Sequence, residues 1–137
     1  MAQNKIIDDF RKLQSLLDSG ATFIAFDTET TGLNSTSDRV IEIGAIKFDK
    51  SGVIDKFETL INPQRSIPTE CTEINHITDE MVKDAPLAVD ALVSFSEFAN
   101  DSILIAHNVN FDLNFISEEL ARTKLPALKN KALDTLT

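Results

Sequence analysis

Between Thr22 and Ile61 the chain passes through three apolar, strand-like stretches, TFIAFDTE, VIEIGAIKFD and VIDKFETLI. The connections between them are too short for a crossover helix. Parallel neighbours need a crossover of a dozen or more residues, so these three predict an antiparallel meander. Between the second and third, Asp49-Lys50-Ser51-Gly52 supplies the small polar residues that reverse a chain.

The segments on either side have a different rhythm. Ile6, Phe10, Leu13, Leu16 and Leu17 recur at helical spacing and Gly20 fits a stop, which predicts one helix from Ile6 to Ser19. Asn62 to Pro68 reads as a loop. Thr78, followed by Asp79 and Glu80, predicts a capped helix start. Pro86 opens a further helix whose apolar face would be Val89, Leu92, Phe95, Phe98 and Ala99. SILIAH predicts a fourth strand. Asn110 to Thr123 predicts a helix with Phe111, Phe115, Ile116 and Leu120 inward, and KALDTLT a fifth strand beyond Pro126. The order defines an α/β fold with a mixed sheet. Residues 1–137 are expected to form one domain whose last strand has no covering helix in this sequence.

Composition narrows the setting. With 42% apolar residues the chain can bury an ordinary core. The single cysteine, Cys71, cannot form an internal disulfide, which points to a reducing compartment and a cytoplasmic location. No segment is long and apolar enough to predict a membrane span. The 22 acidic against 13 basic residues, net −9, argue against a broad duplex-binding surface. They are neutral for an enzyme that grips a strand end through metal ions, which supply the positive charge themselves.

Some of those acids fall where chemistry can use them. Asp27 and Glu29 lie two apart on the first meander strand, so both carboxylates project from the same face. Like charges there are costly unless something offsets them, and an all-oxygen donor set favours Mg²⁺ or Mn²⁺ over zinc. For an isolated D-x-E, exposed strand-end acids are the plainer reading. Asp112 lies in the first turn of the helix after SILIAH, at the strand-end edge where open α/β sheets build their sites. It could equally serve the helix dipole. His107 reads as a capping or hydrogen-bonded histidine at the core edge.

These segments together carry a family. FDTETTGL followed by DRVIEIGAIKF resembles the first motif of the DnaQ-like (DEDD-type) 3′→5′ exonucleases. INP at 61–63, ITDEMV from Ile77 to Val82 and the following AP resemble the family's linking region. AHNVNFDLNFI resembles its second motif. The resemblance runs from about Thr22 onward, and the motifs in this order and spacing are highly specific.

The resemblance implies a ribonuclease-H-like sheet and a two-metal hydrolase that releases nucleoside 5′-monophosphates from a nucleic-acid 3′ end. Two divalent cations, Mg²⁺ or Mn²⁺, are implied, held by Asp27, Glu29 and Asp112. Thr30, Ile74, Asn75 and Phe111 would line the pocket for the terminal nucleotide, and Glu70 would approach its sugar. The implied partners are a single-stranded 3′ end, DNA in preference to RNA, and a DNA polymerase subunit for which the domain would proofread. Asn75 stands where many members have histidine, and His76 where many have glycine. The family's third motif, a histidine or tyrosine four residues before an aspartate on a late helix, has no counterpart after Asp134. His107 and Asp112 only mimic it, because they overlap the second motif. The expectation is therefore an exonuclease lacking its general base and fourth acid, so that the 137-residue piece is poorly active. Asp134 is read as structural. The alternative is a non-catalytic module of the same fold that binds a strand end or a polymerase. A haloacid-dehalogenase-type phosphatase would need an aspartate where Glu29 stands.

Overall fold

The computed structural model describes residues 4–9 and 11–135. In chain order the elements are β1 (Ile6–Ile7), α1 (Lys12–Asp18), β2 (Phe23–Thr30), β3 (Val40–Asp49), β4 (Gly52–Leu60), α2 (Thr69–Asn75), α3 (Asp79–Val82), α4 (Ala88–Ala99), β5 (Ile103–Ala106), α5 (Val109–Arg122) and β6 (Ala132–Asp134). The strands form one sheet in the order β1-β6-β5-β2-β3-β4. β2, β3 and β4 are the antiparallel meander, and β5, β6 and β1 extend it in parallel from the other edge of β2. The α/β mixed sheet read from the sequence is the fold observed. Among the described residues no helix is long and apolar enough to cross a membrane.

The two faces of the sheet are covered unequally. On one, Ile24, Phe26, Ile43 and Ala45 pack against Leu92 and Phe95 of α4 and Leu113, Ile116 and Leu120 of α5. These side chains are almost wholly removed from water, and burying each of the larger ones contributes about 1.5–3 kcal/mol. On the other face α1 sets Leu13, Leu16 and Leu17 over Phe23, Ile105 and Leu133. It covers only the start of β2. Further along that face Ala25, Asp27 and Ile46 remain exposed.

Three expectations are corrected, and one helix was not foreseen. The long N-terminal helix is only α1. Ile6 and Ile7 instead pair in parallel with Ala132 and Leu133, giving six strands where five were expected. Backbone groups at the β6 edge are satisfied by this addition, as when Ala132 N–H donates to Lys5 O. Phe10 lies outside the described residues. The segment after Pro68 is a two-turn helix, α2, that no apolar period announces. On α4 the inward stripe is Ala88, Ala91, Leu92, Phe95 and Ala99, with Phe98 half-buried and Val89 turned to water. Thr78 does cap α3, accepting the Met81 N–H at 3.2 Å.

One buried ion network ties the loop after β2 to α5. Glu119 is fully buried and accepts Arg39 Nε at 2.9 and 3.1 Å and Val40 N–H at 2.9 Å. Arg122 donates to the same carboxylate at 3.2 Å and to the carbonyls of Thr36 and Asp38. The loop between Thr31 and Arg39 is thus clamped against the helix that carries Asp112. A Cβ at Gly32 would overlap the Asp38 carboxylate, so a larger residue there would force Asp38 to shift.

Candidate active site

β2 passes through the middle of the sheet and presents Ala25, Asp27 and Glu29 on its less covered face. The register places Asp27 opposite Gly44 and Glu29 opposite Glu42, and Glu58 lies opposite Gly44 on the next strand. Four acids therefore share one end of one face. Ala25, Asp27, Gly44, Ile46, Lys56 and Glu58 line an open trough there. A Cβ added to Gly44 would meet nothing within 4 Å, so the floor beside Asp27 is open.

Asp112 reaches the same strand from α5. β5 ends at Ala106, and a turn through Asn108 in the left-handed region, φ 59°, starts the helix. Asp134 accepts the Asn108 N–H at 3.0 Å and fixes that turn. His107 is exposed within it, so the capping role expected of His107 falls to Asp134. Asp112 Oδ1 accepts the Thr28 hydroxyl at 2.6 Å and the Thr28 N–H at 3.2 Å. Its carboxylate is thereby fixed to the residue between Asp27 and Glu29.

These acids are electrostatically strained. Asp112 is only 4% exposed, and its pKa is pushed up to about 6. Burial is the largest cause and the Asp27 charge adds to it, while the bonds from Thr28 pull the other way. Burial, then the charges of Asp27 and Glu42, also raise Glu29, and a hydrogen bond from Asn75 partly offsets this. Glu42 is raised by burial and by Glu58 and Asp27. No ion pair among the described residues neutralises Asp27, Glu29, Glu42 or Asp112.

The remaining nominated residues sit around this end of β2 or on the helices beside it. Thr30 donates its hydroxyl to Gly32 O at 2.6 Å. Glu70 is exposed in the first turn of α2, and Ile74 is 81% exposed near its end. Asn75 is half-buried at the end of α2, its Oδ1 accepting the Ile77 N–H at 3.0 Å. Phe111 is half-buried, its ring centroid 5.0 Å from that of Phe115. Glu42 and Glu58 were missed. Their signal is an acid at alternate positions of apolar strands, on the face that also carries Asp27, and it becomes visible only once the register is known.

The donor set is chemically suited to a hard divalent cation: carboxylate oxygens, mutually repelling and without an ion pair among the described residues. Among the described residues, however, no three His, Cys, Asp or Glu side chains are gathered as a metal ion would require.

With this geometry in view, the comparisons with known proteins are decisive for the family. Residues 24–137 match the sequence profile of the exonuclease family RNase_T. The chain belongs to that family. It is 49% identical over 113 residues to the DNA polymerase III subunit epsilon of Treponema pallidum, covering 82% of this chain and 53% of that protein. It is 46% identical over 114 residues to the PolC-type DNA polymerase III of Caldanaerobacter subterraneus, covering 83% of this chain and 8% of that protein. The chain thus spans about half of the first relative and a small part of the second. In structure it is similar to exonuclease I of E. coli in complex with an oligonucleotide, with a TM-score of 0.75 at 19% identity, covering 83% of this chain and 28% of that one. That likeness shows the fold, which is ribonuclease-H-like.

Proposed function

We propose that this chain carries the Asp27–Glu29–Asp112 part of a metal-dependent 3′→5′ exonuclease site. It would hydrolyse phosphodiester bonds at single-stranded 3′ ends and release nucleoside 5′-monophosphates. The observation that carries the reading is Asp112: a buried carboxylate with no cation beside it, held against the strand that bears two more acids. Structural acids are usually paired; an acid kept unpaired at such a place waits for a charge from outside. Asp27, Glu29 and Asp112 would hold two Mg²⁺ or Mn²⁺ ions. When bound, these supply an acidified water and positive charge for the departing 3′ oxygen.

The protein's own residues do the rest. Thr28 holds Asp112 at the strand. Thr30, Glu70, Ile74, Asn75 and Phe111 receive the terminal nucleotide, with the exposed Ile74 offering an apolar surface to a base. The names of the relatives support DNA as the substrate and a DNA polymerase as the working partner, with proofreading as the purpose. The general base and fourth acid belong to the family's third motif, which these 137 residues do not contain.

A 5′-labelled oligonucleotide incubated with Mn²⁺, and again with excess chelator, tests the reading. A polypeptide that also carries the third motif should shorten it stepwise from the 3′ end, only with metal. Asp27→Ala should abolish the shortening. The 137-residue chain should be slower by about 10²–10⁴, the usual cost of losing a general base. Undiminished shortening in chelator contradicts the proposal, and strand binding without any shortening favours the non-catalytic alternative.

A further inference from the structure

We infer that Arg122 is a positioning residue for the strand end: its guanidinium fixes the 31–39 loop, and with it the spacing of α5 and α2 on either side of the terminal nucleotide. This rests on the exonuclease reading above and adds a role to it.

The loop leaves β2 directly after Thr30 and is bonded into one piece. Thr31 and Arg39 close its neck. The Thr31 N–H donates to Arg39 O at 2.9 Å, and the Thr31 hydroxyl accepts the Arg39 N–H at 2.9 Å. Further in, Asn34 O accepts the Asp38 N–H at 2.7 Å, and the Asp38 carboxylate accepts the Asn34 N–H at 3.0 Å. Asn34 Oδ1 accepts both the N–H and the hydroxyl of Thr36. Thr30 is joined to the same piece through Gly32 O. A loop packed on its own side chains in this way moves as a unit about its neck. Its place is then set by what holds it from outside.

Those holds come from two sides. Toward α2, Cys71 donates its thiol to Thr31 O at 3.1 Å, and Arg65, just before that helix, donates to Ser37 O at 2.6 Å. α2 carries Glu70, Ile74 and Asn75. Toward α5, which carries Phe111 and Asp112, Arg39 anchors the neck on Glu119. The body of the loop is bonded to α5 by Arg122, which donates to Thr36 O at 3.3 Å and to Asp38 O at 3.2 Å. The loop therefore bridges the two helices that bear residues for the terminal nucleotide. Arg122 lies ten residues beyond Asp112, about 15 Å along the helix at 1.5 Å per residue, and so acts on the site through the loop.

The plainer reading of Arg122 is a cation in the last turn of a helix, where the helix dipole favours one. That accounts for its charge and not for its shape. Its Nε donates to Glu119 at 3.2 Å while the two outer nitrogens divide between two loop carbonyls. A planar fork with donors in fixed directions can serve a carboxylate and two carbonyls together. A lysine ammonium has the same charge and lacks that geometry. Glu119 orients the fork, and the fork orients the loop.

The test is the affinity of the 137-residue chain, with Mn²⁺ present, for a 5′-fluorescein-labelled single-stranded DNA oligonucleotide, read by fluorescence anisotropy. Arg122→Ala should weaken binding about 10-fold, because the freed loop must then be ordered at the expense of binding. Arg122→Lys should weaken it as much, since the charge is kept and the fork is lost. Mn²⁺ affinity, read by electron paramagnetic resonance, should stay unchanged in both. Leu17→Ala thins the packing of α1 over the start of β2 and is the control for a loosened fold. It should leave oligonucleotide affinity unchanged. Wild-type affinity in Arg122→Lys, with a loss in Arg122→Ala, would make Arg122 a point charge for the strand and overturn the inference. Unchanged affinity in Arg122→Ala, a fall in its Mn²⁺ affinity, or an equal loss in Leu17→Ala would overturn it as well. If the wild-type chain itself fails to bind the oligonucleotide with Mn²⁺, the exonuclease reading fails and takes the inference with it.

Discussion

Glu119 and Asp112 are both buried carboxylates on α5, yet Glu119 lies between two guanidinium groups and Asp112 beside a threonine. The first is compensated: charge meets charge, and the remaining lone pairs take the Val40 N–H. The second has its hydrogen bonds but not its charge compensated, and its raised pKa records the difference. One helix therefore carries a clamp near its end and an unpaid electrostatic debt near its start. The lesson concerns how a buried acid is read. Burial alone does not separate structure from function; what separates them is whether the protein itself supplies the opposite charge.

Three experiments can break or sharpen that contrast. The largest effect is expected from Glu119→Ala. It leaves Arg39 and Arg122 without their partner and Val40 N–H without its acceptor. Removing one side of a buried pair costs about 3–5 kcal/mol, read by urea denaturation. A loss below about 1 kcal/mol would mean that the clamp is replaced by water at little expense.

Asp112→Asn should move stability the other way. In the folded chain the Asp112 pKa is raised to about 6, against the ordinary value of 3.8. A group with a raised folded pKa favours folding at low pH and loses that contribution as pH rises through the folded value. At pH 7.5 without metal, ionised Asp112 therefore disfavours the fold by about 2–3 kcal/mol. Asparagine, which cannot ionise, should recover most of this at pH 7.5 and almost none at pH 4. The check is a pair of denaturation curves in chelator at those two pH values. An equal gain at both would assign the effect to packing and remove Asp112 from the electrostatic argument.

The smallest effect should come from Arg122→Ala. Arg39 still faces Glu119, and Arg122 is partly exposed, so the loss should be about 1 kcal/mol. The Thr36 and Asp38 carbonyls would lose their donor, and hydrogen exchange in the 31–39 loop should quicken. A loss as large as that of Glu119→Ala would show that the second arginine, not the first, carries the clamp.

The contrast also marks how far the sequence could be read. The meander was legible because alternation and short connections are local, and Asp27 and Glu29 came with it. α5 was legible from its apolar period, and Asp112 from its place in the first turn. The role of Glu119 was not legible, since its partner Arg39 is remote in sequence and meets it only after the sheet has formed. β1 was hidden for the same reason: Ile6 and Ile7 fit a helical spacing until the β6 edge is there to pair with them. α2 is short, and its place is fixed by Cys71 bonding to Thr31 and by Thr72 and Asn75 bonding to Ile77, which no periodicity records. The placing of Glu42 opposite Glu29, and of Glu58 opposite Gly44, follows from register alone.

β4 carries a consequence of a different kind. It is one of the two edge strands of the sheet, and Val53 and Ile54 on it are 62% and 53% exposed. An outer strand offers unpaired backbone groups to any other extended chain, and exposed apolar residues make the offer more attractive. Asp55 and Lys56 follow directly and interrupt the apolar run with charge. The colloidal behaviour of the protein should therefore be governed by this strip, with self-association promoted by high salt as the charges on it are screened.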